Sequence, residues 1–209
     1  MRRFFNELTA KEKRIFEKLD TPRKIQDFLE KIPINFAGEN GKPLSPRKVL
    51  QVNRMHCFEG ALFAAAALLY HGEPAILLDL KTTSEDDSHV VALYKEHGKW
   101  GAISKTNHAV LRFRDPVYLS PRELAMSYFH EYFLDDGRKT LRSYAVFNLN
   151  KIKRNWIIDE KLLIYIDKAL NKVKRFQIVS AREARNLRLA DSAERKAGKI
   201  TVYENGGSK

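Results

Sequence analysis

The chain has 209 residues, 44% of them hydrophobic, with 38 Lys and Arg against 26 Asp and Glu for a net charge of +12, and one cysteine. That size predicts one domain with a proper core, while a lone cysteine excludes an internal disulfide and the usual multi-cysteine zinc sites; no metal or other cofactor is expected. The longest apolar run, Ala61 to Tyr70, is too short to cross a bilayer, and the start Met1-Arg2-Arg3 turns charged too soon for a secretory signal, so a cytoplasmic protein without a membrane partner is expected.

The positive charge favours polyanions or acidic partners without bearing on fold. It is dispersed over Arg2-Arg3, Lys11–Arg14, Lys151–Arg154, Lys172–Arg175 and the C-terminal residues, and no zinc-finger, RNP-type or helix-turn-helix signature accompanies it. A solvated basic surface is the plainer reading. Nucleic acid is therefore not the expected partner, although the charge does not exclude it.

Two helices are predicted in residues 1–32. Thr9 with Glu12 forms a capping box, and Thr21-Pro22 starts a helix whose Ile25, Phe28, Leu29 and Ile32 share a face. Residues 33–46 carry three prolines and two glycines and read as a loop. Ser45-Pro46 opens another helix, which delivers the chain to His56-Cys57-Phe58-Glu59-Gly60. From about Phe58 to Tyr70 a helix without a polar face is predicted, so it must be covered on most sides. Strands follow at Ala75–Leu80, His89–Tyr94 and Trp100–Ser104, the last two as an antiparallel hairpin. Asp115-Pro116 breaks the following stretch, and a helix is expected over PRELAMSYFHEYF, 121–133. Residues 140–149 alternate as a strand, and Asp159–Val173 forms an amphipathic helix. A domain over 1–179 and a weakly ordered basic tail over 180–209 are expected.

Cys57 stands at a helix start, where unpaired N–H groups favour a thiolate over a thiol. His89 opens a strand thirty-two residues later. One cysteine and one histidine so placed are the least that a thiol nucleophile with its base requires. The competing reading is a small buried cysteine beside an unrelated histidine. His56 is read as a loop or cap neighbour rather than a second base, and Glu59 as a capping residue. The acids Glu85-Asp86-Asp87 are read as a solvated loop, not a metal site.

The order of a Cys-led helix, a His-bearing strand and a hairpin partner resembles the transglutaminase-like branch of the papain-like cysteine enzymes. The resemblance spans roughly residues 22–105 and rests on Cys57–Ala61, Gly72 with the next strand, Asp87-Ser88-His89-Val90, and Trp100. It implies an α+β fold, with the Cys helix packed on a small antiparallel sheet and flanking helices. It also implies attack of the Cys57 thiolate on a peptide or carboxamide carbonyl, with His89 as general base and acid. The family usually carries an aspartate four residues after the tryptophan, whereas Trp100 is followed at that spacing by Ser104. A hydroxyl fixes an imidazole tautomer but brings no full negative charge; Asn107 is the other candidate for the third member. Gln51, six residues before Cys57, matches the spacing of a papain-like oxyanion amide. Lys105, Asn107 and His108 form a polar cluster suited to binding a carboxylate or amide, or an ordinary strand end. A thiol-dependent amide hydrolase or acyl transferase is expected. The alternative is a degenerate binding module of the same fold, with a polyanionic partner.

Overall fold

The computed structural model describes residues 2–35 and 43–202. The loop expected over 33–46 and the end of the expected tail therefore lie partly outside the described residues. Helices α1 (Ala10–Lys18), α2 (Pro22–Lys31) and α3 (Pro46–Val52) begin where the hydroxyls of Thr9, Thr21 and Ser45 accept the N–H groups of Glu12, Lys24 and Lys48. Proline at the first position of α2 and α3 lacks an N–H that the helix would not have used. Their inner faces bury Phe16, Ile25, Leu29 and Val49.

These faces pack on α4 (Cys57–Tyr70), in which every residue from Glu59 through Leu69 is buried. Alanines let its neighbours approach closely, and Gly72, at φ 92°, ends it in the left-handed region that glycine adopts without strain.

The sheet comprises β1 (Ile76–Thr82), β2 (His89–Glu96), β3 (Lys99–Ile103) and β4 (Arg114–Tyr118), then β5 (Leu141–Asn148) and β6 (Phe176–Gln177). Its order is β4-β3-β2-β1-β5-β6, and every neighbouring pair is antiparallel. His97 and Gly98 both have positive φ, the requirement of the two-residue turn that suits strand twist, so the β2–β3 hairpin forms as its spacing predicts. Side chains of β2 alternate. Val90, Ala92 and Tyr94 enter the core shared with α4, while Val91 and Leu93 enter a second core. That second core is covered by α5 (Pro121–Ser127), whereas α6 (Ile164–Asn171) adds Ile166 and Leu170 to the first. The protein is thus α+β, one antiparallel sheet between two helical coverings.

Several elements differ from the sequence reading. Strand β4 was hidden by Pro116, which an edge strand tolerates because its outer N–H has no partner to lose. The helix expected over 121–133 stops at Ser127, whose hydroxyl bonds the Leu124 carbonyl, and a short 3-10 turn follows at Phe129–Glu131. Helix α6 starts late because Asp159 is engaged by Arg154, the Lys161 N–H and the Tyr165 hydroxyl. The expected tail, through residue 202, carries secondary structure of its own. It forms α7 (Ala181–Ala184) and α8 (Ser192–Gly198), each opened by a capping box, Ser180–Glu183 and Asp191–Glu194. Between them Ala190 is buried, its N–H on the Gly137 carbonyl at 2.8 Å. No helix among the described residues is long and apolar enough to cross a membrane.

One close approach ties the fold to the site. A Cβ on Gly60 would lie 2.4 Å from the Lys105 Cβ, so α4 and the chain leaving β3 touch through a missing methyl. Gly60→Ala is expected to cost about 1–3 kcal/mol, the usual penalty of overpacking, read as a lower urea midpoint. A wild-type midpoint would show that Lys105 shifts freely.

Candidate active site

Cys57 is the first residue of α4, half-buried, with its sulfur 3.4 Å from Nδ1 of the preceding His56. Glu59 sets this turn: its carboxylate accepts the His56 N–H at 2.6 Å and the Leu44 N–H at 3.1 Å. Burial pushes the Glu59 carboxyl up, against the lowering effect of those two bonds. The capping role read from sequence is the one observed.

Burial alone would push the Cys57 thiol up as well. Hydrogen bonds from His56 and His89, together with the positive charge of both rings, more than reverse this and bring it down to about 5. The same contact holds His56 protonated. Its hydrogen bond to the sulfur and the thiolate charge raise it to about 9 against the effect of burial, with help from Glu59 and Asp87. Cys57 is therefore a thiolate flanked by two imidazoles, of which His56 was read from the sequence only as a loop or cap neighbour.

His89, at the start of β2, is buried, and its Nε2 lies 2.8 Å from the Ser104 hydroxyl. That hydroxyl donates its only proton to the Leu111 carbonyl at 2.5 Å, so toward His89 it can only accept. The proton between them belongs to Nε2, which leaves Nδ1 as the ring nitrogen that Ser104 does not engage. Ser104 is pinned from behind by Gln26, whose amide oxygen accepts the Ser104 N–H and whose Nε2 donates to the Ser104 carbonyl, each at 2.9 Å.

Leu111 holds its carbonyl in place at φ 61°, a costly conformation for a branched residue. Glu131 over-determines it, accepting the Leu111 N–H at 2.7 Å and the Arg114 guanidinium at 2.6 Å. Arg114 lies over the Tyr128 ring, 4.1 Å from its centroid. Gln26, Leu111 and Glu131 are thus positioning residues that the sequence did not reveal. Gln26 is 78 residues from Ser104, and no local pattern marks such a pair.

Cys57, His56 and His89 open onto a cavity of about 560 Å³, bounded also by Ile34-Asn35, Asp86–Ser88, Lys105–His108, Glu131–Phe133 and, from the C-terminal segment, Gly198 and Thr201. Of the residues singled out in the sequence, Ser104 partners His89. Asn107 lines the wall instead, its carbonyl accepting the Val202 N–H at 2.8 Å. Lys105 also lines the cavity, but its ammonium bonds the Leu29 carbonyl at 2.7 Å, in the last turn of α2, and that of Ile32, its C-cap. His108 sits exposed on the rim, its Nδ1 3.4 Å from the Gly198 carbonyl. Two candidates lie outside the cavity wall. Gln51 is exposed in the last turn of α3, and Asn53, in the left-handed region, turns the chain before it reaches Cys57. Trp100 lies four residues up β3 from Ser104, about 13 Å at the usual strand rise, under Lys95 and opposite Tyr118. The acidic loop divides its charges: Glu85 pairs with Arg138, Asp86 accepts the Thr140 hydroxyl, and Asp87 borders the cavity.

No protein-family model matches the chain, and no curated protein matches it.

Proposed function

We propose that the protein is a thiol-dependent amide-bond hydrolase or acyl transferase of the transglutaminase-like type, with Cys57 as nucleophile and His89 as general base and acid. The observation that carries this reading is that Cys57, at a helix start, and His89, its Nε2 fixed by Ser104, open onto one cavity, with the His89 ring among the groups that bring the thiol down. The order of elements supports it as well, with the Cys helix, the His strand and the hairpin partner arranged as the family resemblance implies.

In the first half-reaction the thiolate adds to the carbonyl carbon, and the C–N bond breaks as Nδ1 of His89 gives its proton to the leaving amine. In the second, neutral Nδ1 takes a proton from water or an amine, which attacks the thioester and expels the thiolate. Nε2 keeps its proton on Ser104 throughout. Hydrolysis and acyl transfer then differ only in whether water or an amine makes this second attack.

A second reading, a binding module of the same type without turnover, is favoured by one observation: His89 is held by a hydroxyl where a carboxylate would stabilise the imidazolium. A panel of peptidyl aminocoumarin amides, offered with and without methylamine, separates the two. The enzyme reading expects a burst of fluorescence and a thioester adduct on Cys57, both lost in Cys57→Ser. Turnover in Ser104→Ala should fall about a hundredfold, within the range of a misoriented general base. No adduct across the panel would favour the binding module.

A further inference from the structure

We infer that the backbone of residues 107–109 is a docking rail for an extended polypeptide, and that residues 200–202 occupy it as an intramolecular stand-in. This rests on the acyl-transfer reading above and gives that site a substrate class, a polypeptide rather than a small free amide.

Strand β3 ends at Ile103, and residues 107–109 join no strand of the six-stranded sheet. Their partner among the described residues is the C-terminal segment, which pairs antiparallel through the bridge His108–Thr201. The Ala109 N–H donates to the Ile200 carbonyl and the Val202 N–H to the Asn107 carbonyl, each at 2.8 Å. Both bonds are backbone to backbone, so they read chain direction and extension rather than side-chain identity. Ile200 and Val202 remain 55% and 62% exposed, so apolar burial adds little to hold this segment down. The anchor with a buried partner lies upstream, in α8, where Glu194 pairs with Lys139, whose side chain is 5% exposed. Residues 200–202 can therefore leave the rail while α8 stays docked.

The rail is also in register with the chemistry. Gly198 and Thr201 border the same cavity as Cys57 and His89. At Gly198 the passage is narrow: a Cβ there would come within 2.8 Å of the Phe133 ring. An extended chain on this rail therefore lies along the wall of the cavity that holds the nucleophile.

The test uses the full chain and its Val202→Pro variant, which removes the N–H that binds Asn107 and touches no residue of the catalytic alignment. Two probes are compared, chloroacetamide and the chloroacetylated tripeptide Ile-Thr-Val amide, the sequence of residues 200–202 that leave the rail. In each case the Cys57 thiolate displaces chloride from the chloroacetyl carbon. With the occupied state dominant by about ten to one, vacating the rail should speed labelling by the peptide roughly tenfold and leave chloroacetamide unchanged. The same peptide with its backbone nitrogens methylated should show no gain. Equal rates in wild type and variant, or an equal gain for the methylated peptide, would overturn the rail. Hydrogen exchange gives an answer even where the thiol is inert. The Ala109 amide should lose protection in the variant and regain it when the unreactive acetylated tripeptide is added, and failure to regain it would overturn the proposal while leaving the thiol chemistry to stand or fall by its own adduct.

Discussion

Replacing both His56 and His89 by alanine should all but silence Cys57 toward iodoacetamide at pH 6. In the wild type, with the thiol at about 5, some nine-tenths of Cys57 is thiolate at that pH. Without the rings, the hydrogen bonds and positive charges that overcome burial are gone, and the thiol returns at least to the free-cysteine range near 8.5. The thiolate fraction at pH 6 then falls roughly 300-fold, and the alkylation rate with it. The sign follows from the charge that each form carries. The thiolate exists above its pKa, so labelling fails as pH drops through about 5 in the wild type, and a raised pKa moves that failure to the alkaline side. Each single variant keeps one ring and should show an intermediate midpoint. Above about pH 9, where His56 gives up its proton, the thiolate persists and the wild-type profile stays flat. A wild-type onset near 8.5, or a midpoint that neither histidine moves, would remove the basis for a poised nucleophile.

Most of the scaffold around this site was legible because local rules suffice for it. The caps at Thr9, Thr21 and Ser45 announce their helices through side-chain oxygens and proline placement, and the apolar run at 61–70 can only be a buried helix. The positions of Cys57 and His89 at the starts of α4 and β2 were legible for a related reason, since each opens an element that local rules mark. What escaped the sequence is long-range. Gln26 reaches Ser104 across 78 residues, and Glu131 reaches Leu111 across 20. Pro116 hid an edge strand because proline is forbidden only where an N–H is needed. The C-terminal segment looked loose by composition, yet capping boxes and a seat for Ala190 against Gly137 order it where hydrophobicity would not. Gln51 failed in the opposite way: a spacing was matched, but the left-handed turn at Asn53 put it on the solvent side.

Glu131→Ala should then weaken both the fold and the turnover, and the two losses can be read apart. Arg114 keeps only 14% of its side chain exposed, and without Glu131 its guanidinium loses its counter-ion over the Tyr128 ring. A largely buried charge left unpaired, together with an orphaned Leu111 N–H, should cost about 2–4 kcal/mol in urea unfolding. The catalytic consequence runs through Leu111. Released from Glu131, that residue can leave φ 61° for an ordinary backbone region, and its carbonyl leaves the Ser104 hydroxyl. The hydroxyl proton is then free to turn toward Nε2 of His89, which favours the neutral tautomer with hydrogen on Nδ1. A ring in that form cannot take a proton from the attacking water, so the acyl-enzyme on Cys57 should form and then persist. The expected result is a retained burst with steady-state turnover lower by about a hundredfold, in the range ascribed to general base catalysis. Glu131→Gln retains an acceptor for Leu111 but no charge for Arg114. It should therefore recover most of the turnover while staying less stable than wild type. If Glu131→Ala is destabilised yet turns over at the wild-type rate, Ser104 orients His89 without help from Leu111.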